Sequence, residues 1–186
     1  MRRFESCRGH ASFPSWDASD EPTVKRILLL RHAKSSWDDP ALSDHDRPLA
    51  PRGLRATAAI AGYLRSGDLK VGLVLCSSAR RARETLERLG DALGEADTSL
   101  EDGLYAANDD ELLDRLRRVP AEVDAVAVIG HNPGLHDLAV ALTRAGRKLE
   151  RYPTGALAVL EFEGPWTDLD SGRARLVSFV KPKDLE

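Results

Sequence analysis

From Lys25 onward, hydrophobic and polar positions alternate between two periods. Short aliphatic and β-branched runs bounded by turn residues predict strands at residues 26–31, 72–76, 125–129, 156–162 and 175–180. Between them, longer amphipathic stretches predict helices over about 52–66, 80–93, 109–118 and 133–143. In the first helix Leu54, Ala58, Ala61 and Leu64 form the expected apolar stripe, and Gly67 stops it. In the last, Asn132 stands where a side chain caps the amino terminus and Pro133 where the first turn tolerates proline. A shorter apolar piece over 99–105 adds an edge strand.

Strands that alternate with helices imply a mainly parallel sheet covered on both faces, a three-layer α/β sandwich. The last two strands have no helix between them, only turns at Gly164-Pro165-Trp166 and Asp170-Ser171-Gly172. The sheet is therefore expected to be mixed, ending in an antiparallel element.

Composition narrows the picture. A chain of 186 residues with 42% hydrophobic content can bury one good core, so a single domain is expected over residues 24–186. Residues 1–23 mix Ser, Pro, Asp, Glu and His without a period, the signature of a disordered extension. A net charge of −3 and a pI of about 6.0 leave no electrostatic footprint for nucleic acid, so clustered arginines read as local anion sites. Two cysteines, Cys7 and Cys76, lie far apart, which suits a reduced intracellular protein. No apolar stretch approaches the length of a membrane span, and Arg2 and Arg3 have no apolar run behind them to make a secretory signal. A cytoplasmic location is expected, with neither nucleic acid nor membrane as partner.

The chemistry concentrates at three strand ends. Leu28-Leu29-Leu30-Arg31-His32 delivers an Arg-His pair to a strand's carboxyl end, where open α/β sheets keep their sites. A histidine there can attack an electrophile while the guanidinium holds an anion against it. Ser77-Ser78-Ala79-Arg80-Arg81-Ala82-Arg83-Glu84-Thr85 spans a second strand-to-helix junction, and Gly130-His131-Asn132-Pro133-Gly134 a third. Arginine forks match an oxyanion bidentately, and the helix beginning near Pro133 would add its positive end. Neighbouring guanidinium groups are expected to keep His32 neutral, and His131 is placed to donate a hydrogen bond to the same anion. Taken singly, each residue has a plainer reading. His32 could be a hydrogen-bonded structural residue, His131 a helix cap, and Arg80, Arg81 and Arg83 a solvated face. No His-x-x-x-His, cysteine pair or Asp-rich loop is present to hold a metal.

The three motifs together resemble the histidine phosphatase superfamily, the phosphoglycerate mutase-like group. Lys34-Ser35-Ser36-Trp37, Asp44-His45-Asp46-Arg47-Pro48-Leu49 and Pro153-Thr154-Gly155-Ala156-Leu157 make the likeness one to its short SixA-type phosphohistidine phosphatases. The resemblance implies a phosphoglycerate mutase-like fold and a metal-independent phosphatase without a cofactor. It implies His32 as the nucleophile that carries a phosphohistidine intermediate. Arg31, Arg81 and His131 would bind phosphate, and the family's register selects Arg81 over its neighbours. An acid for the leaving group is sought in the wider superfamily before the third helix, where Glu101 and Asp102 are the candidates, though either is equally an exposed turn carboxylate. His45, Asp44, Asp46 and Arg47 share the loop after the first strand, where an Asp-Arg pair either fixes the loop by an ion pair or shapes the entrance for a protein substrate; Trp37 reads as a loop anchor or a stacking platform. The implied partner is a phosphorylated protein, a histidine-phosphotransfer domain or phosphocarrier. A general small-molecule phosphomonoesterase and a non-catalytic phosphate-binding protein of the same fold remain alternatives.

A chain begun at Thr23 should keep the thermal midpoint and activity of the full chain; a large loss of either would show that the amino-terminal segment packs on the domain.

Overall fold

The computed structural model describes residues 23–185, apart from the side chains of Arg147 and Lys148, so the expectation for residues 1–22 lies outside it. Six strands form one sheet: β1 (Val24–Arg31), β2 (Leu73–Ser77), β3 (Asp97–Glu101), β4 (Ala125–Gly130), β5 (Leu157–Glu163) and β6 (Arg175–Val180), in spatial order β3-β2-β4-β1-β5-β6. The first four run parallel, and β5 and β6 are antiparallel to their neighbours. This is the mixed, mainly parallel sheet that the alternation of strands and helices predicts.

Side-chain alternation along each strand sorts the aliphatics into two cores. Ile27, Leu29, Leu75, Val126, Val128 and Leu160 face one side and pack with α3 (Asp109–Arg117) and α4 (Gly134–Thr143). Leu28, Leu30, Val74, Ala127, Ile129 and Val159 face the other and pack with α1 (Pro51–Ser66) and α2 (Arg80–Leu89). Runs that are apolar at every position thus serve both faces of a sheet buried between helix layers. Cys76 is a buried member of the second core, its thiol pushed up to about 12 by burial.

Several local expectations are corrected. The stripe of α1 is Ala56, Thr57, Ile60, Ala61 and Leu64, whereas Leu54 and Ala58 are exposed. The first turn of α1 buries Gly53 instead, because α1 lies against the loop after β1. α2 ends at Leu89 and continues as a 3-10 turn over Gly90–Leu93, since Gly90 takes a positive φ that breaks the helical run. The edge strand covers Asp97–Glu101 rather than 99–105, and the chain beyond it turns at Asp102–Leu104. Asn132 does not cap α4: its side-chain amide donates to the Tyr152 carbonyl oxygen at 3.0 Å, and the helix starts at Gly134.

Tyr152, fully buried, donates its hydroxyl proton to the Leu29 carbonyl and accepts from the Ala158 amide, stitching its loop to β1 and β5. Gly53 makes the second close approach: a Cβ there would be driven into the Lys34 carbonyl oxygen, two residues beyond His32. Gly53→Ala is expected to destabilise the fold by about 1–3 kcal/mol, as overpacking against backbone does. Urea denaturation measures it, and a change under about 0.5 kcal/mol, the range of neutral surface substitutions, would show that α1 can slide away.

Candidate active site

The parallel strands β1, β2 and β4 end side by side, and each hands one part of the site to the same crevice. Arg31 ends β1 and His32 follows it; Ser77 ends β2 and leads into α2 with Arg81 in its first turn; Gly130 ends β4 and His131 follows. With α1 and α2 on one face and α3 and α4 on the other, the crevice lies at the carboxyl ends of the strands, where such sheets leave room for a ligand. The cavity measures about 480 Å³ and is lined by Arg31, His32, Lys34, Ser35, Trp37, Asp44, Arg47, Tyr105, Arg81, His131 and neighbouring backbone. Four cationic side chains therefore face one carboxylate, that of Asp44.

His32 is held by its main chain. Its amide donates to the Gly130 carbonyl, its carbonyl accepts from the Gly155 amide, and the next amide, of Ala33, donates to Thr85 Oγ1 at 3.0 Å. Thr85 in turn donates to the Arg81 carbonyl one helical turn earlier, so the Arg-Ala-x-x-Thr spacing locks α2 onto the loop that carries His32. The imidazole Nδ1 lies 2.8 Å from the Ala33 carbonyl oxygen, which can only accept. Nδ1 therefore carries the proton, and Nε2 keeps a lone pair directed at Arg81, whose Nε donates to it at 3.3 Å.

Arg81 is the hub. It is only 5% exposed, and its guanidinium also donates to the Asp44 carboxylate at 3.0 Å and to Nδ1 of His131 at 3.3 Å. His131 must then be protonated at Nε2, which donates to Ser77 Oγ at 2.8 Å. The two imidazole rings stand 4.9 Å apart. Arg31 is braced from behind by the Tyr152 carbonyl at 2.8 Å, and its buried Nε has no acceptor among the described residues. Asp44 collects three donors besides Arg81's: Arg47 through Nε and a terminal nitrogen, and the Tyr105 hydroxyl at 2.7 Å. Arg47 also lies 3.5 Å from the ring centre of Trp37, which is 69% exposed at the rim.

Burial is the first cause of the ionisation pattern. Desolvation brings His32 down to about 3, with His131, Arg81 and Arg31 adding repulsion against the Ala33 hydrogen bond. His131 falls to about 4 for the same first reason, aided by Arg81 and opposed by Asp44. The Tyr105 hydrogen bond, joined by those of Arg47 and the nearby guanidinium charges, holds Asp44 at about 2. The guanidinium explanation for a neutral His32 is thus secondary to burial.

Of the predicted site residues, the structure brings Arg31, His32, Arg81 and His131 around one pocket, while Arg80 and Arg83 stay exposed. Arg80 pairs with Glu84 at 2.7 Å. Glu101 and Asp102 do not reach the pocket. Glu101 is clasped by Arg115 of α3 at 2.7 Å, and Asp102 sits exposed in the turn after β3. The carboxylate that does reach it, Asp44, was legible only as a loop residue, and Tyr105 and Ser77 carried no signal of their own. Among the described residues no cluster of His, Cys, Asp or Glu is arranged to hold a metal ion, and no helix is long and apolar enough to cross a membrane.

Comparison with known proteins sets this geometry in context. The model of the histidine phosphatase superfamily (branch 1) matches residues 27–108. An uncharacterized protein of Mycobacterium tuberculosis (strain H37Rv) is 39% identical over 162 residues, spanning 83% of this chain and 100% of that one. A structure from Nakamurella multipartitia assigned as a phosphohistidine phosphatase SixA is 34% identical, with a TM-score of 0.79 over 87% of this chain and 99% of that one. A structure of the protein histidine phosphatase SixA complexed with tungstate is 25% identical, with a TM-score of 0.74 over 87% of this chain and 99% of that one.

The depressed histidines fix the sign of an acid response. Both bind protons less readily folded than at the ordinary value of 6.5, so the unfolded chain binds more protons in between. Their contribution to stability is complete above pH 6.5 and is lost as pH falls toward about 4 for His131 and about 3 for His32. NMR titration of the imidazole resonances should give those two midpoints; a midpoint near 6.5 for either ring would show that it is solvated.

Proposed function

The chain belongs to the histidine phosphatase superfamily, and from that premise we propose that it hydrolyses phosphohistidine on a protein through a covalent intermediate on His32. The observation that carries the reading is the hydrogen-bond pattern of the two imidazoles. His32 presents a lone pair on Nε2, and the groups around it are cationic donors. A neutral nucleophile facing a cage of guanidinium groups suits an electrophile that is itself an anion. Tungstate, held by the SixA structure at 25% identity, is a tetrahedral oxyanion of phosphate's shape.

In the first step the Nε2 lone pair of His32 attacks phosphorus, and the bond from phosphorus to the substrate's imidazole nitrogen breaks. The departing ring takes that electron pair and, if protonated beforehand on its other nitrogen, leaves as neutral imidazole. Arg31 and Arg81 bind the equatorial oxygens, and the unsatisfied Nε of Arg31 gains an acceptor. A phosphoryl dianion also offsets the cationic repulsion at His131, so that ring can take a proton and donate to the transferred group. In the second step water attacks phosphorus, the bond to His32 Nε2 breaks, and His32 regains its lone pair while Nδ1 keeps its proton on Ala33. The protons of the water leave with phosphate.

The same pocket favours one substrate order. An alkyl phosphate expels a basic alkoxide and needs a protonated acid nearby. Asp44, held at about 2, enters as a carboxylate, and Glu101 is bound to Arg115 outside the cavity. Phosphohistidine and aryl phosphates, with better leaving groups, do not depend on that acid.

Rapid quench of a reaction with a phosphohistidine protein should trap acid-labile, base-stable phosphate on His32, and His32→Ala should abolish turnover. Label found on His131, or undiminished turnover in His32→Ala, would refute the nucleophile. Arg81→Ala should lower the rate about 10²- to 10³-fold, as loss of a preorganised donor does, with Arg80→Ala and Arg83→Ala near normal. Phosphohistidine and an aryl phosphate should turn over well ahead of glycerol phosphate, and Glu101→Gln and Asp102→Asn should change little. Comparable rates on glycerol phosphate that collapse in either variant would favour a general phosphomonoesterase.

A further inference from the structure

We propose that the groove beside the catalytic pocket, rimmed by Lys34, Arg52, Lys181 and Lys183, docks an acidic segment of the protein that carries the phosphohistidine. The inference rests on the proposed function and extends it from the phosphoryl group to its carrier. The groove encloses about 310 Å³ and shares Lys34 and Thr154 with the catalytic cavity, so the two adjoin across those residues. Its floor is Ala56, Pro153 and Pro182.

The backbone between the two cavities is tied to both. The Gly155 amide donates to the carbonyls of Arg31 and His32, and a Cβ on Gly155, whose φ is +78°, would press on the Pro182 ring. One turn of backbone therefore touches the nucleophile's strand end on one side and the groove's floor on the other. A ligand lying across Thr154 would reach the cationic rim while its phosphoryl group faces His32.

The charge is unspent. Among the described residues, none of the four rim cations has an ion-pair partner, although the whole chain carries a net charge of −3. An acidic partner would be repelled by the molecule at large and admitted at this face. The way the cations are held also distinguishes the occupant. Arg81 is buried and fixed by several acceptors, as single-anion recognition requires, whereas Lys34, Arg52 and Lys183 are exposed on long stems. Adaptable cations over an apolar floor suit carboxylates spaced along a polypeptide, whose aliphatic stems can lie on the two prolines.

The test compares three substrates: a phosphorylated histidine-phosphotransfer protein, free phosphohistidine and 4-nitrophenyl phosphate. In the Arg52→Glu/Lys183→Glu variant, kcat/KM for the protein should fall about tenfold or more and lose its dependence on salt, because rim charges act on encounter. The two small substrates should stay within about twofold, since they occupy the catalytic pocket alone. An unchanged rate on the protein, or a parallel fall on all three, would overturn the docking role. Weakened inhibition by pyrophosphate with protein turnover intact would also overturn it, assigning the groove to a small polyanion. Wild-type protein that cleaves 4-nitrophenyl phosphate but neither form of phosphohistidine would overturn the functional reading itself, and the docking role with it.

Discussion

The site depends on one nearly buried charge, the Arg81 guanidinium. A cation withdrawn from water is costly unless its donors are satisfied, and Arg81 meets that demand with His32, His131 and Asp44. Each of those acceptors comes from a different segment: the end of β1, the end of β4 and the loop before α1. The requirement that a buried guanidinium be hydrogen-bonded thus also fixes the positions of both imidazoles. It explains why Asp44 is a carboxylate at the lip of a pocket otherwise built for anions. Without it Arg81 would be left a buried, half-paired cation, and with it Arg81 and Arg47 are oriented before any substrate arrives.

This arrangement needs the sheet beneath it. Because β4 lies between β1 and β2, the residues following β1 and β4 stand side by side, and α2 springs from the adjacent strand end. The backbone then does the fine positioning: the Ala33 amide binds Thr85, the Gly155 amide binds the carbonyls of Arg31 and His32, and the Tyr152 carbonyl braces Arg31. The side chains proposed to transfer a phosphoryl group are in this way set on strand ends and a helix start, with exposed side chains kept to the rim.

Much of this was legible in the sequence, and the exceptions have physical reasons. Strand positions and the three strand-end motifs are short-range patterns, so Leu28 to His32, Arg81 to Thr85 and His131 could be placed from spacing and resemblance alone. Asp44 was visible in its motif but its bond to Arg81 was not, since it crosses from a loop to the start of a helix distant in sequence. Tyr105 and Ser77 are ordinary residues until the fold brings them within reach of Asp44 and His131. Glu101 misled because its place at a strand end says nothing about which face its side chain takes, and there Arg115 of α3 claims it. Leu54 misled because the start of α1 packs through Gly53 on backbone, a contact that leaves no apolar signature.

The order of causes behind the two histidines has a consequence for turnover. If repulsion from Arg31 and Arg81 alone kept His32 neutral, an arriving phosphoryl dianion would cancel that repulsion and promote protonation of His32, the proposed nucleophile, when its lone pair is needed. Burial is instead the leading cause at both rings, and it does not vanish when an anion binds; an occupied pocket excludes still more water. The Ala33 carbonyl meanwhile holds the proton already present on Nδ1, leaving Nε2 to react. His131 is less deeply buried, and Asp44 already pulls its affinity for a proton upward. The same incoming charge should therefore protonate His131 in preference to His32, giving one neutral nucleophile and one cationic donor from a pair of rings only 4.9 Å apart.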